Sequence, residues 1–167
     1  QMANQIKNLN GLDTVGIFRL PGNMKQLDEL IAKSNNGEDF LDGVQIETLA
    51  SLFKRFFRDI PGKLIHPEMV TRIMDASSFD DVQGILNDME YPCRLTLTYL
   101  IGFLREVASH AEVNQMHAKN LAMVFGPNIV CETDKVNIMQ LHTRIQFFIE
   151  TLIENLDVTG VYPLPNI

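Results

Sequence analysis

The chain has 167 residues, 46% of them apolar and 21% charged, with a formal net charge of −7. That length suits one domain built on one core, and the apolar share excludes a disordered chain. The acidic balance excludes a protein that holds nucleic acid with its whole surface, so any cationic function has to be local.

The chain opens Gln-Met, as a piece cut from a longer protein would, and shows no signal peptide. The first informative stretch is "TVGIFRLPGN", residues 14 to 23. Gly16 and Pro21-Gly22 punctuate it as a loop between helices. Ile17, Phe18 and Leu20 can anchor such a loop while Arg19 projects. Taken alone, Arg19 fits two readings. It could pair with a carboxylate or lie in solvent, or it could be a guanidinium presented to a phosphate, for which it is permanently charged and bidentate.

Residues 24 to 33 place Met24, Leu27, Leu30 and Ile31 on one helical stripe, with Asn23 as N-cap. Residues 46 to 60 repeat the pattern through Ile46, Leu49, Ala50, Phe53, Phe56, Phe57 and Ile60, and Pro61-Gly62 ends it. Lys54 and Arg58 stand at i and i+4 beside that apolar stripe, while Arg55 is expected to point more fully to solvent. They are either a solvated basic face, whose stems cover apolar surface, or a pair arranged around an anion or carbonyl.

Pro67 suits the first position of a helix running to about residue 76. Ser78 can cap a helix from residue 79 to about 89. Pro92 opens the longest helix, whose Gly102 costs helix stability and permits close packing. Asn114 is positioned to cap "QMHAKNLAMVF", which Gly126-Pro127 should end, leaving Asn128 on an exposed turn. A last helix covers roughly residues 136 to 156. No long period-2 alternation appears, so β-structure should be minor or absent. The predicted fold is an all-α, single-domain bundle of about seven to nine helices. No apolar run reaches the roughly twenty residues of a membrane span, so direct membrane insertion is not expected.

Conventional catalytic signatures are missing: there is no Walker loop, G-x-S-x-G, G-x-G-x-x-G or H-E-x-x-H. His66, His110, His117 and His142 do not cluster and read as surface or structural residues, so no metal site is expected. Cys93 and Cys131 read as free thiols in a reducing, intracellular compartment.

Three segments taken together resemble the Rho-type GTPase-activating (RhoGAP) domain family. "GIFRLPG" is similar to its arginine-finger loop, "ASLFKRFFRDIPGKLI" to its A-x-L-L-K-x-F-L-R-E-L-P-E-P-L-I segment, and "NLAMVFGPNIV" to its N-L-A-x-V-F-G-P-N-L motif. The likeness runs from about residue 11 to 155, within a single domain over residues 1 to 167. It implies a cytoplasmic activator of GTP hydrolysis, docking on a GTP-bound Rho-family small GTPase and binding no nucleic acid. Flanking domains outside this chain would recruit it to membranes or cytoskeleton. Arg19 would be the finger, supplied in trans. Arg58 would brace its loop through backbone carbonyls, Lys54 would face the GTPase, and Asn128 would contact a switch region. The domain would need no cofactor of its own, because GTP and Mg²⁺ belong to the partner.

Departures from the family pattern are Val15 for Glu, Leu20-Pro21 for a small polar pair, and Gly62-Lys63 for Glu-Pro. Lys63 is therefore a candidate for partner selectivity. The helix usual before the finger is represented only by "ANQIKNLNGLD", so the leading part of the domain looks short. A second reading keeps the fold without the activity, as a catalytically silent GTPase-binding or scaffold module. The presence of Arg19 argues against it.

Overall fold

The computed structural model describes residues 1–134 and 136–162. The described chain is all-α: α1 Met2–Asn8, a 3-10 turn Gly11–Asp13, α2 Met24–Asn35, α3 Ile46–Asp59, α4 Pro67–Asp75, α5 Phe79–Asp88, α6 Tyr91–Ser109, α7 Ala111–Asn114, α8 Ala118–Ile129 and α9 Ile138–Asn155. Among the described residues β-structure is limited to one parallel bridge, Ile65 to Val130. None of the described helices is long and apolar enough to cross a membrane.

Local chemistry sets several boundaries. Asn23 accepts from the Gln26 N–H at 3.1 Å and caps α2. Ser78 and Asp81 form a reciprocal capping box at the start of α5, and Pro67 occupies the first turn of α4. The leading segment forms α1, seven residues long with Ala3 and Ile6 buried.

Two boundaries differ from the sequence reading. Asn114 ends α7 and does not cap α8; Gln115 follows it with φ 62°, and α8 starts at Ala118 behind His117. Gly126-Pro127 does not end α8, which continues to Ile129 with Pro127 inside it. A proline within the last turn forfeits one hydrogen bond there. The chain then leaves at Val130 to pair with Ile65, with Ile65 N–H donating to Ile129 O at 2.9 Å and Cys131 N–H to Ile65 O at 2.9 Å.

α3, α6 and α8 enclose the centre of the core, where Phe18, Phe53, Phe57, Phe103 and Phe125 pack ring against ring. Phe18 lies 5.0 Å from Phe125 and 5.9 Å from Phe53 between centroids. α9 runs along α8 and also meets α4, α5 and α6. Arg105 of α6 closes the end of α9 by donating to Ile153 O at 2.6 Å and Leu152 O at 3.1 Å. Gly102 does permit a close approach: a Cβ there would stand 2.4 Å from the Tyr162 Cβ. Tyr162 lies over α6 and hydrogen-bonds Glu106, which also accepts from Lys7 of α1. Burial and the Glu106 carboxylate raise the Tyr162 phenol above its ordinary value.

Candidate functional site

The loop between the 3-10 turn and α2 is held by its apolar residues and aimed by its backbone. Ile17 and Phe18 are buried, whereas Arg19 and Leu20 are exposed. Phe18 has φ 68°, an uncommon conformation for a bulky residue, with a cost on the order of 1–3 kcal/mol. Full burial of the ring stabilises by roughly 1.5–3 kcal/mol, and three edge-on or tilted aromatic neighbours add about 0.5–1.5 kcal/mol each. Packing therefore outweighs strain. The left-handed turn sends the next residue the other way, so a buried Phe18 produces an exposed Arg19.

Hydrogen bonds close the loop on itself. Arg19 N–H and Leu20 N–H both donate to Gly16 O, at 2.9 and 3.0 Å. Gly16 takes φ 71°, a conformation that favours glycine, and a Cβ there would lie 3.4 Å from Arg19 Nη2. The downstream arm is pinned to α3: Gly22 N–H donates to Ser51 Oγ at 3.0 Å and Asn23 N–H to Thr48 Oγ1 at 3.1 Å. Gly22 sits so close that a Cβ would fall 2.4 Å from Thr48 Cα.

Lys54 reaches from α3 under the loop, where its Nζ donates to Phe18 O. Burial, and then the charge of Arg58, hold the Lys54 ammonium below the ordinary lysine range. Among the described residues the side-chain hydrogen bond from α3 to the Phe18 carbonyl comes from Lys54. Arg58 lies 3.6 Å from Asp59 and is the more exposed of the two arginines, with Arg55 tied to the same carboxylate. The hydrogen bond from Arg55, aided by the charges of Arg55 and Arg58, outweighs burial and keeps Asp59 below its usual range. The Phe18 carbonyl faces Lys54, one turn nearer the start of α3 than Arg58.

Arg19, Lys54, Arg55, Arg58 and Asn128 line one cleft of about 210 Å³, floored by Ser51 and Leu27 and edged by Met24. Met24 is 62% exposed and belongs to this rim, not to the buried stripe of α2; Phe56, 50% exposed, likewise leaves the predicted face of α3. Among the described residues the Arg19 guanidinium has no ion pair, whereas the other two cleft arginines share Asp59. Asn128 is in the last turn of α8 and not on a free turn. Its Nδ2 donates to Val124 O at 2.7 Å, and the residue lines the cleft.

Lys63 stands apart from the cleft. Its φ is 60° and its Nζ donates to Arg58 O, so it closes the end of α3 instead of projecting as a free charge. The histidines do not converge. His110 Nδ1 bonds Asp13 at 2.7 Å and His66 Nδ1 lies 3.3 Å from Glu68. Among the described residues no group of three or more His, Cys, Asp or Glu is placed to hold a metal ion.

Thr48 and Ser51, which pin the loop, carry a signal in the sequence as well. They stand at i and i+3 on the side of α3 that carries Arg55 and Arg58, so two hydroxyls lie together beside the basic residues and can accept from a neighbouring backbone.

The RhoGAP domain family model matches residues 1–134. Rho GTPase-activating protein 23 of Mus musculus is 29% identical over 167 residues, which is 92% of this chain and 11% of that protein. GTPase-activating protein pac-1 of Caenorhabditis elegans is 34% identical over 163 residues, 86% of this chain and 10% of that protein. The chain therefore spans about a tenth of these relatives. The crystal structure of human Rho GTPase activating protein 15 superposes with a TM-score of 0.85 at 23% identity, covering 92% of this chain and 78% of that one. The likeness extends through the fold, and the chain belongs to the RhoGAP domain family.

Proposed function

We propose that this domain accelerates GTP hydrolysis by a Rho-family small GTPase, lending Arg19 to the partner's active site. The observation that carries the reading is an exposed guanidinium without an ion pair among the described residues, on a loop whose neighbouring residue is locked in the core. Phosphoryl transfer spreads negative charge over the transferring group, and an arginine placed against it is worth about 10³–10⁵ in rate. A loop fixed beforehand reduces the entropy lost when the side chain inserts.

The other cleft residues take supporting parts. Lys54 holds the Phe18 carbonyl and with it the direction of Arg19. Arg55 and Arg58 concentrate positive charge on one face of an acidic domain, which steers the partner's anionic nucleotide site toward it. Asn128 offers its Oδ1 to a backbone donor in the partner's switch segment. Lys63 and the Pro61-Gly62 turn form the neighbouring surface where Rho-family members can be told apart. The nucleotide, Mg²⁺ and the residue orienting water are the partner's, so the domain is an activator without turnover of its own. The finger acts on a γ-phosphate, so it favours the GTP-bound state. Free Cys93 and Cys131 fit a cytoplasmic setting.

A panel of GTP-loaded Rho-family proteins, assayed for phosphate release with catalytic amounts of this domain, tests the reading. Acceleration of at least one member supports it. Binding to the GTP-loaded form without acceleration of any member replaces it with a silent docking module.

A further inference from the structure

α3 holds one arm of the Arg19 loop, and on the other arm Asn114 accepts from the Gly16 N–H. Asn114 is fully buried. Its Nδ2 donates to Leu12 O at 2.6 Å and to Val107 O at 2.8 Å, its Oδ1 accepts from Met116 N–H at 2.7 Å, and its main-chain oxygen accepts from Gly16 N–H at 2.8 Å. Four segments therefore meet on one residue: the 3-10 turn, the end of α6, the Arg19 loop and the connection leading into α8.

We propose that Asn114 is a positioning residue for Arg19, fixing the loop's upstream arm through Leu12 and Gly16 and setting it against the helix that carries Asn128; this rests on Arg19 being the catalytic finger. The chemistry accounts for the residue type. A side chain that must donate twice to carbonyls and accept once from an N–H is an amide, and asparagine has the length for it. Aspartate would set carboxylate oxygens against two carbonyls, and alanine would take their Asn114 partner from Leu12 O and Met116 N–H and leave Val107 O with the His110 N–H alone. The Gly16 tie matters because Gly16 O is also the acceptor for Arg19 N–H and Leu20 N–H. Displacement of Gly16 displaces the whole turn, and a misplacement of about 1 Å can cost about a hundredfold in rate.

The test is single-turnover GTP hydrolysis by a GTP-loaded Rho-family protein, with the domain's concentration varied. Asn114→Ser, shown to be folded by cooperative urea unfolding, should lower the maximal rate about 10- to 100-fold. Its half-saturating concentration should change less than about threefold, because the docking cleft is untouched. In an Arg19→Ala background the same substitution should remove less than about a further factor of two, since it acts through Arg19. A folded Asn114→Ser with the wild-type maximal rate overturns the proposal, and so does an equal loss in both backgrounds. If Arg19→Ala alone loses nothing, the finger reading fails first and this inference with it. If Asn114 variants do not fold, native-state hydrogen exchange of the wild-type chain decides. Gly16 N–H should exchange within about tenfold of the most protected core amides, and exchange at the rate of an open loop overturns the proposal.

Discussion

Lys54 Nζ donates to the carbonyl oxygen of Phe18, the residue immediately before Arg19. The contact joins a buried aromatic ring, a strained backbone and an exposed guanidinium into one device. Core packing holds Phe18, the left-handed turn reverses the chain, and a lysine fixes the carbonyl that the reversal turns toward α3.

Lys54→Met should separate activity from stability. The folded state holds this ammonium below the ordinary lysine range, so the unfolded chain binds its proton more readily. Wild-type stability therefore carries a penalty below the folded value, relieved as pH rises from that value toward the ordinary lysine range. Methionine removes the penalty and the hydrogen bond together. Urea unfolding at neutral pH should place the variant within about 1 kcal/mol of wild type, while stimulated hydrolysis falls at least about tenfold. In a carbon-detected NMR titration, Lys54 should lose its proton before the exposed lysines.

Gly22→Ala tests the downstream arm. The new methyl would stand 2.4 Å from Thr48 Cα, so the loop has to lift from α3 and stretch its bonds to Ser51 and Thr48. The expected cost is about 1–3 kcal/mol of stability, with a fall in maximal rate larger than the fall in affinity. Denaturant unfolding and single-turnover kinetics measure the two effects.

Asp59→Asn releases Arg55 and Arg58 from their shared carboxylate and makes the cleft more positive. Exposed pairs of this kind contribute about 0–1 kcal/mol, so stability should barely change. Association with a GTP-loaded partner should be faster at low ionic strength, and the gain should vanish as salt screens it. Stopped-flow association at two salt concentrations measures it.

Lys63 needs a substitution that respects its backbone. Proline stands here in the family pattern, yet φ 60° is outside its reach, and the Lys63 N–H that donates to Ile60 O at 3.0 Å would be lost. Lys63→Pro should destabilise by about 2 kcal/mol or more. Lys63→Gly accepts the conformation, removes the donor to Arg58 O, and should change the ranking of rates across a GTPase panel with stability within about 1 kcal/mol.

Much of this was legible in the residues. Asn23, Ser78 and Pro67 marked helix starts correctly because each solves a local problem of unpaired N–H groups. Arg19, Lys54, Arg58 and Asn128 were singled out and do share one cleft. The failures are tertiary. Asn114 has the chemistry of an N-cap, but its amide nitrogen is claimed by Leu12 O of the distant 3-10 turn and by Val107 O of α6, and its oxygen by Met116 N–H. Helical spacing put Lys54 and Arg58 on one side of α3 without saying which one the Phe18 carbonyl would face. Gly126-Pro127 looked like a stop, yet α8 ends where Val130 leaves to pair with Ile65.

The most direct measurement is the single-turnover rate of GTP hydrolysis by a responsive Rho-family protein at saturating domain, wild type against Arg19→Ala. A loss of about 10³–10⁵ in the stimulated rate, with affinity for the GTP-loaded partner largely retained, is the predicted result. A variant that stimulates within a few-fold of wild type would contradict the account.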